Sequence, residues 1–290
     1  MTPEQTFTAL QRIARQQGRA VQELLTLYVL EQFLARLGES TFADSFVLKG
    51  GVLLAGYGLR RPTRDVDMQA IDFVLNEEHC REVAAAVARA DADDGVVFEA
   101  VPIRIEQIRD EEEYSGIRVH IRAHLHSARI AVKLDISTGD PMFPEAQRVT
   151  MPRILGGEFT LMGYALETVI AEKAVTILQR GVTSTRWRDY MDLRSLSRSR
   201  SFEATILLKA TEEVAKYRGV ILSAPSVSLS GHDEIAQQKW AAWRTKSDVE
   251  DITLAVLKDQ LTEVSTFLDP IFLNTVDSAA AWHPTSQAWI

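Results

Sequence analysis

The chain has 290 residues, room for one large domain or two medium ones. Its 46% hydrophobic and 25% charged residues are ordinary for a globular protein, and no apolar run approaches the roughly eighteen residues of a membrane span. A formal net charge of -8 argues against a general nucleic-acid binder but leaves local recognition open, because the placement of charge matters more than its sum.

The opening Met1-Thr2-Pro3-Glu4-Gln5 lacks the basic and apolar regions of a signal peptide, and the single Cys80 cannot close an internal disulfide. A cytoplasmic protein with an ordinary structural thiol is expected. Across residues 4–37, Leu10, Ile13, Leu24, Leu25, Tyr28, Phe33 and Leu37 recur mostly at three- and four-residue steps, which predicts two helices. Phe46-Val47-Leu48 predicts a short buried strand ending in Lys49-Gly50-Gly51. A compact helix over 52–57, a turn at Arg61-Pro62-Thr63 and a strand from about Asp65 to Ala70 follow. An alanine-rich helix is expected over 76–90, then strands over 96–98, 103–108, 117–124 and 129–137. In the last of these, Ile130, Val132, Leu134 and Ile136 point one way and Arg129, Lys133 and Asp135 the other.

Gly139, Pro141, Pro144, Pro152, Gly156 and Gly157 predict a linker or irregular crossing segment. Helices are expected beyond it over 164–181, 185–197, 202–217, 232–245 and 249–268, with a long loop over 219–231. The fold class predicted is α+β. Residues 1–150 form an α/β domain with N-terminal helices, and residues 151–290 a mainly helical domain contributing to an active cleft.

Gly50-Gly51 and, after a thirteen-residue gap, Asp65-Val66-Asp67 form the most informative pattern in the chain. Acids at i and i+2 on a strand share one face, and Asp135 on a neighbouring strand is expected to face them. Such a trio suits two magnesium ions about 3.5–4 Å apart, which offset charge while an α-phosphate is attacked in line. Glycines without a Cβ let backbone amides approach phosphates, and the helix they open favours anions. Plainer readings exist for each part. The glycines could form only a tight turn, Asp65 and Asp67 could pair with Arg61 and Arg64, and one acid on a sheet face is common. Lys133 and Arg129 are open between phosphate contacts and neutralising partners. The order strand, Gly-Gly, short helix, Asp-apolar-Asp strand makes the chemical reading the stronger one. Thr63 reads as a turn residue beside Pro62; a phosphate on its hydroxyl would add about -1.5 to -2 charges beside the acids and oppose nucleotide binding.

Leu48-Lys49-Gly50-Gly51 with Asp65-Val66-Asp67-Met68 resembles the signature of the DNA polymerase β-like nucleotidyltransferase superfamily. Lys133-Leu134-Asp135-Ile136, Glu172-Lys173-Ala174 and Arg188-Asp189-Tyr190-Met191-Asp192-Leu193 narrow the likeness to the AbiEii toxin family of type IV toxin–antitoxin systems, over about Phe46 to Leu196. The resemblance implies a polymerase β-like core, a mixed sheet with flanking helices, followed by a helical C-terminal domain. It also implies dependence on an NTP and on magnesium (or manganese), a cognate antitoxin, and transfer to RNA, notably tRNA 3′ ends.

By motif position the resemblance makes Asp65 and Asp67 metal ligands, joined by Asp135, Lys173 a phosphate-binding residue and Asp189 a further catalytic acid. The nucleotide is expected against Lys49, Gly50, Gly51, Thr63, Arg64 and Lys133. Gly51 departs from the Gly-Ser of many superfamily members, so backbone amides must replace a hydroxyl contact. Read from the residues alone, Lys173 lies on a helix side with Thr176 and Arg180. Asp189 and Asp192 could each hold Arg186 or Arg188 in a surface pair worth little. Trp187 and Tyr190 stack on a base or belong to the core.

The expected function is an RNA-directed nucleotidyltransferase toxin. In it the arginines Arg60, Arg61, Arg64, Arg180, Arg186, Arg188, Arg194, Arg198 and Arg200 grip acceptor phosphates. The alternatives are a nucleotidyltransferase acting on a small molecule or a protein, and a non-catalytic NTP-binding regulator.

Overall fold

Helix starts in this chain are written into its caps. In a computed structural model describing residues 1–71, 73–109 and 115–290, α1 (Pro3–Gln16) begins with proline in its first turn and a reciprocal Thr2–Gln5 capping box. Helix α2 (Val21–Glu39) is buried along most of its length, as its dense apolar content requires. The strand β1 (Phe46–Lys49) leads into α3 (Gly50–Leu53), which tightens at once into a 3₁₀ turn over Leu54–Tyr57. The expected helix over 52–57 is therefore two short pieces, closed by Gly58 in the left-handed region.

Strand β2 (Val66–Ala70) precedes α4 (Glu77–Arg89), whose first turn is capped by Asn76. The strands β3 (Val96–Phe98), β4 (Arg104–Arg109), β5 (Ser115–Leu125) and β6 (Ala128–Ser137) follow closely where alternation places them. The segment expected to be an irregular linker instead forms a hairpin, β7 (Gln147–Pro152) and β8 (Glu158–Gly163). Its punctuation was real but local: Gly156 and Gly157, both at positive φ, make the turn. Buried Val149, Met151, Phe159 and Leu161 alternate with exposed residues on either side of it.

These strands join one mixed sheet in the order β3-β5-β6-β2-β1-β8-β7, with β4 beside β3 on the edge of β5 opposite β6. The pairs β2–β6 and β1–β8 are parallel, and the others antiparallel. Helices α2 and α4 pack on its apolar face. Phe33 and Leu37 meet Met68, Leu134, Ile136 and Cys80 around a small apolar cavity there. Buried Ile117, Val119, Ile121, Ile130, Val132 and Leu134 show that β5 and β6 present one face to this core.

The chain divides into two compact units, Met1–Gly139 with Ala146–Tyr164, and Asp140–Glu145 with Ala165–Ile290. The boundary expected at 150/151 falls inside β7, whose ladder with β8 carries it into the first unit.

The second unit contains α5 (Leu166–Arg180), α6 (Trp187–Ser199), β9 (Phe202–Glu203), α7 (Ala204–Arg218), α8 (Pro225–Ser228), α9 (His232–Ser247) and α10 (Leu257–Phe272). Two strands close it, β10 (Ala281–His283) and β11 (Ala288–Trp289), in a small sheet with β9. The helix expected over 249–268 starts eight residues late. Residues 249–256 spend their backbone carbonyls on Trp240 and Arg244 instead, and Gln260 takes the amide of Leu254. Among the described residues no helix is long and apolar enough to cross a membrane.

Candidate active site

Strand register brings the motif residues of the first unit together. Lys49 on β1 lies opposite Asp67 on β2, Asp67 beside Asp135 on β6, Asp135 opposite Arg118 on β5, and Arg118 opposite Glu106 on β4. In-register neighbours share a sheet face, so one row of charges crosses five strands at about 4.8 Å per step. Asp65 lies in the bend immediately before β2, and its charge acts on Arg118. Apolar Val66 and Met68 point into the core behind the acids.

Gly50 is glycine for two reasons. Its φ of +66° is a conformation that side chains disfavour, and a Cβ there would lie 2.0 Å from Asp67 Oδ2. The Asp67 carboxylate thus occupies the notch that a side chain would fill. Gly51 is held by a different neighbour: a Cβ on it would come within 2.7 Å of the Arg61 guanidinium and of the Thr63 hydroxyl. Arg61 is buried, and its Nη1 donates to the Thr63 hydroxyl at 3.3 Å and to the Pro62 carbonyl at 3.1 Å. Thr63, only 2% exposed, is packed within the turn, so its hydroxyl is closed to a modifying enzyme in this conformation. Arg64 and Lys133 are exposed, and Lys49 sets its ammonium 5.6 Å from the Tyr164 ring centre.

Asp135 differs from expectation. Arg118 donates from Nε to Oδ1 and from Nη2 to Oδ2, each at 2.7 Å, a two-pronged clasp that takes both carboxylate oxygens. These bonds, with smaller contributions from Asp65 and Glu106, raise the Arg118 pKa still further and keep the guanidinium charged. Among the described residues no group of three or more His, Cys, Asp or Glu side chains is placed to hold a metal ion. Both oxygens of Asp135 are thus engaged by Arg118 in this conformation, and the carboxylates whose chemistry would suit a hard cation are those of Asp65 and Asp67. Magnesium commonly takes one or two carboxylates and completes its shell with water and phosphate oxygens, so this pair is sufficient.

In the second unit Lys173 on α5 reaches Asp189 and Asp192 on α6, both at 2.7 Å, and Arg186 Nε donates to Asp189 at 2.7 Å. Lys173 is not a solvated helix lysine, and the acids are not in surface pairs: Asp189 is 3% and Asp192 2% exposed. Burial alone would raise the Asp189 carboxyl, but Lys173 and Arg186 outweigh it and hold it down to about 2. Trp187 and Tyr190 are buried beside His232 and Trp240, which places them in the core and not on a base.

Sequence reasoning missed Arg118. Alternation alone puts it on the polar face of β5, but its partner becomes visible only once the β5–β6 register is known. Several arginines expected to grip an acceptor are committed internally: Arg60 to Glu31, Arg186 to Asp189, and Arg194 and Arg198 to Glu263.

The profile of the family described as "Nucleotidyl transferase AbiEii toxin, Type IV TA system" matches residues 32–268. No curated protein matches the sequence. Among solved structures, a protein described as a nucleotidyltransferase from H. pylori is 18% identical, with a TM-score of 0.53 over 89% of this chain and 99% of the other. JHP933 from Helicobacter pylori is 17% identical, with a TM-score of 0.54 over 88% and 95%. MenT4, a nucleotidyltransferase toxin from Mycobacterium tuberculosis, is 17% identical, with a TM-score of 0.52 over 88% and 98%. At such identities the likeness speaks for the fold, which is that of a mixed sheet with flanking helices and a helical C-terminal region. With the profile matching most of its length, the chain belongs to the nucleotidyl transferase AbiEii toxin family and is a nucleotidyltransferase.

Proposed function

We propose that the protein transfers a nucleoside monophosphate from an NTP to the 3′ end of an RNA, with tRNA as the acceptor, and that this arrests translation until a cognate antitoxin restrains it. The observation that carries the reading is the acid pair Asp65–Asp67 in its glycine notch, adjoining the Asp135–Arg118 clasp.

Asp65 and Asp67 would hold magnesium, which when bound neutralises charge on the triphosphate and favours the deprotonated acceptor hydroxyl. Asp67 stands on β2 and Asp65 immediately before it, and Gly50 keeps the approach to Asp67 clear of a side chain. Lys49, Arg64 and Lys133 supply cations for the triphosphate oxygens around that pair. Asp135, clasped by Arg118, stands beside Asp67 as a further acid whose charge the guanidinium holds in check. Lys173, its ammonium held by Asp189 and Asp192, is the residue to which the family motif assigns phosphate binding.

Incubating the protein with each labelled NTP, magnesium and total RNA tests the reading. The expected outcome is label in a short RNA fraction, reduced about a hundredfold or more by Asp65→Ala or Asp67→Ala. Label in protein or in a small molecule would assign a different acceptor. NTP binding without any labelled product would mark a regulator.

A further inference from the structure

The polar face of the sheet continues beyond the acid row, and its cations are arranged rung by rung. Stepping toward the start of β6, the rung next to Asp135 carries Lys133, His120 on β5 and Arg104 on β4. The next pairs Arg122 with Ala131, and the one after it His124 with Arg129. Same-face neighbours along a strand are about 7 Å apart, a spacing of the order of successive phosphates in an extended strand.

Among the described residues, the acids on this stretch are Glu106, paired with Arg104 and with His120 at 3.2 Å, and Glu99, paired with His124. Lys133, Arg122 and Arg129 are exposed and have no ion-pair partner among the described residues. Here Lys133, Arg122 and Arg129 stand on three successive rungs, with His120 and His124 set against Glu106 and Glu99, in a chain whose formal net charge is -8.

We propose that this ladder, Arg122 and Arg129 with Arg104 at its flank and Lys133 where it meets the triphosphate, is the track for the sugar–phosphate backbone of a single-stranded RNA acceptor. The track leads the RNA 3′ hydroxyl to the Asp65–Asp67 pair. It rests on the transfer to RNA proposed above and names the surface that would deliver it. Phosphate contacts of this kind position the strand without reading its sequence, so the track accepts any bases and leaves the choice of acceptor to other surfaces. It also replaces the arginines that the structure shows to be committed to Glu31, Asp189 and Glu263.

The test compares the wild type with Arg122→Gln/Arg129→Gln and with Arg12→Gln/Arg15→Gln, which removes the same charge from the exposed side of α1. Binding of a fluorescent single-stranded RNA of about 12 nucleotides is followed by anisotropy across a salt series, and NTP binding is measured alongside. The Arg122/Arg129 variant is expected to bind this RNA about tenfold more weakly, with the slope of log K against log salt reduced by about 1.4. NTP affinity should not change, and the α1 variant should keep wild-type RNA affinity. Equal RNA binding by wild type and the Arg122/Arg129 variant, or equal losses in the two variants, overturns the track. In the labelling assay, RNA labelled equally by wild type and the Arg122/Arg129 variant sinks the track alone. If wild type labels no RNA, the proposed function falls and the track with it.

Discussion

At the scale of the residue, Gly50 and Arg118 set the local rules. The Gly50 backbone lies at φ +66°, and the space beside it belongs to the Asp67 carboxylate. Gly50→Ala must both strain the backbone and push that carboxylate away, so a loss of at least about 2 kcal/mol in urea unfolding is expected, together with loss of transfer. Gly51→Ala should cost less, because the guanidinium of Arg61 is the flexible end of its side chain. Arg118→Gln leaves every acid of the row in place and removes the clasp on Asp135. Binding of Mn2+ to the otherwise unliganded protein, read by electron paramagnetic resonance, should then tighten about threefold or more, because a nearby positive charge no longer opposes it. Unchanged affinity would show that the clasp and the cation site are independent. The acid pair and the glycine turn were legible in the sequence because local order alone defines them. Arg118 was not, because a cross-strand partner some seventeen residues away depends on register, which single-strand alternation leaves open.

At the scale of the element, the tie between α5 and α6 is electrostatic and dry. Lys173 is shared by two nearly inaccessible carboxylates, so Lys173→Met leaves two buried acids short of a cation and should destabilise the second unit by about 3–5 kcal/mol. A loss of transfer in that variant therefore counts for phosphate binding only if folding, followed by circular dichroism, is intact. The pH behaviour has a definite sign. Asp189 is depressed to about 2, so its share of stability is complete above the ordinary carboxylate range and disappears as pH falls through about 2. By acid titration, Asp189→Asn should lose that contribution, about 2 kcal/mol, at neutral pH and unfold at a higher pH than wild type. Periodicity found α5 and α6, but it presented Lys173 as one of several polar residues on a helix side; only helix packing shows what that side meets. The hairpin β7–β8 was misread for a related reason. Its Pro and Gly punctuate a tight turn within a sheet, and the same residues in isolation signal a linker.

At the scale of the whole molecule, each unit has its own core. The first is built on the sheet with α2 and α4, the second on helices α5, α6, α7 and α10. Differential scanning calorimetry should show a departure from a single two-state transition, with Gly50→Ala lowering the melting of the first unit and Lys173→Met that of the second. A single transition shifted equally by both substitutions would mean that the units melt as one. Composition foretold the coarse α+β division, while the exact seam was hidden because a sheet ladder, and not a change in residue type, decides where the first unit ends.

The seam has an outcome for anyone cutting the gene. The chain leaves the first unit at Gly139, spends Asp140–Glu145 in the second, where Asp140 is clamped by Arg218, and returns at Ala146 before departing for good after Tyr164. No single cleavage point yields two intact halves. A fragment ending at 139 lacks a hairpin, and one ending at 164 carries off the clamp of its neighbour. Split-reporter fusions or half-toxin expression would therefore produce mutilated pieces.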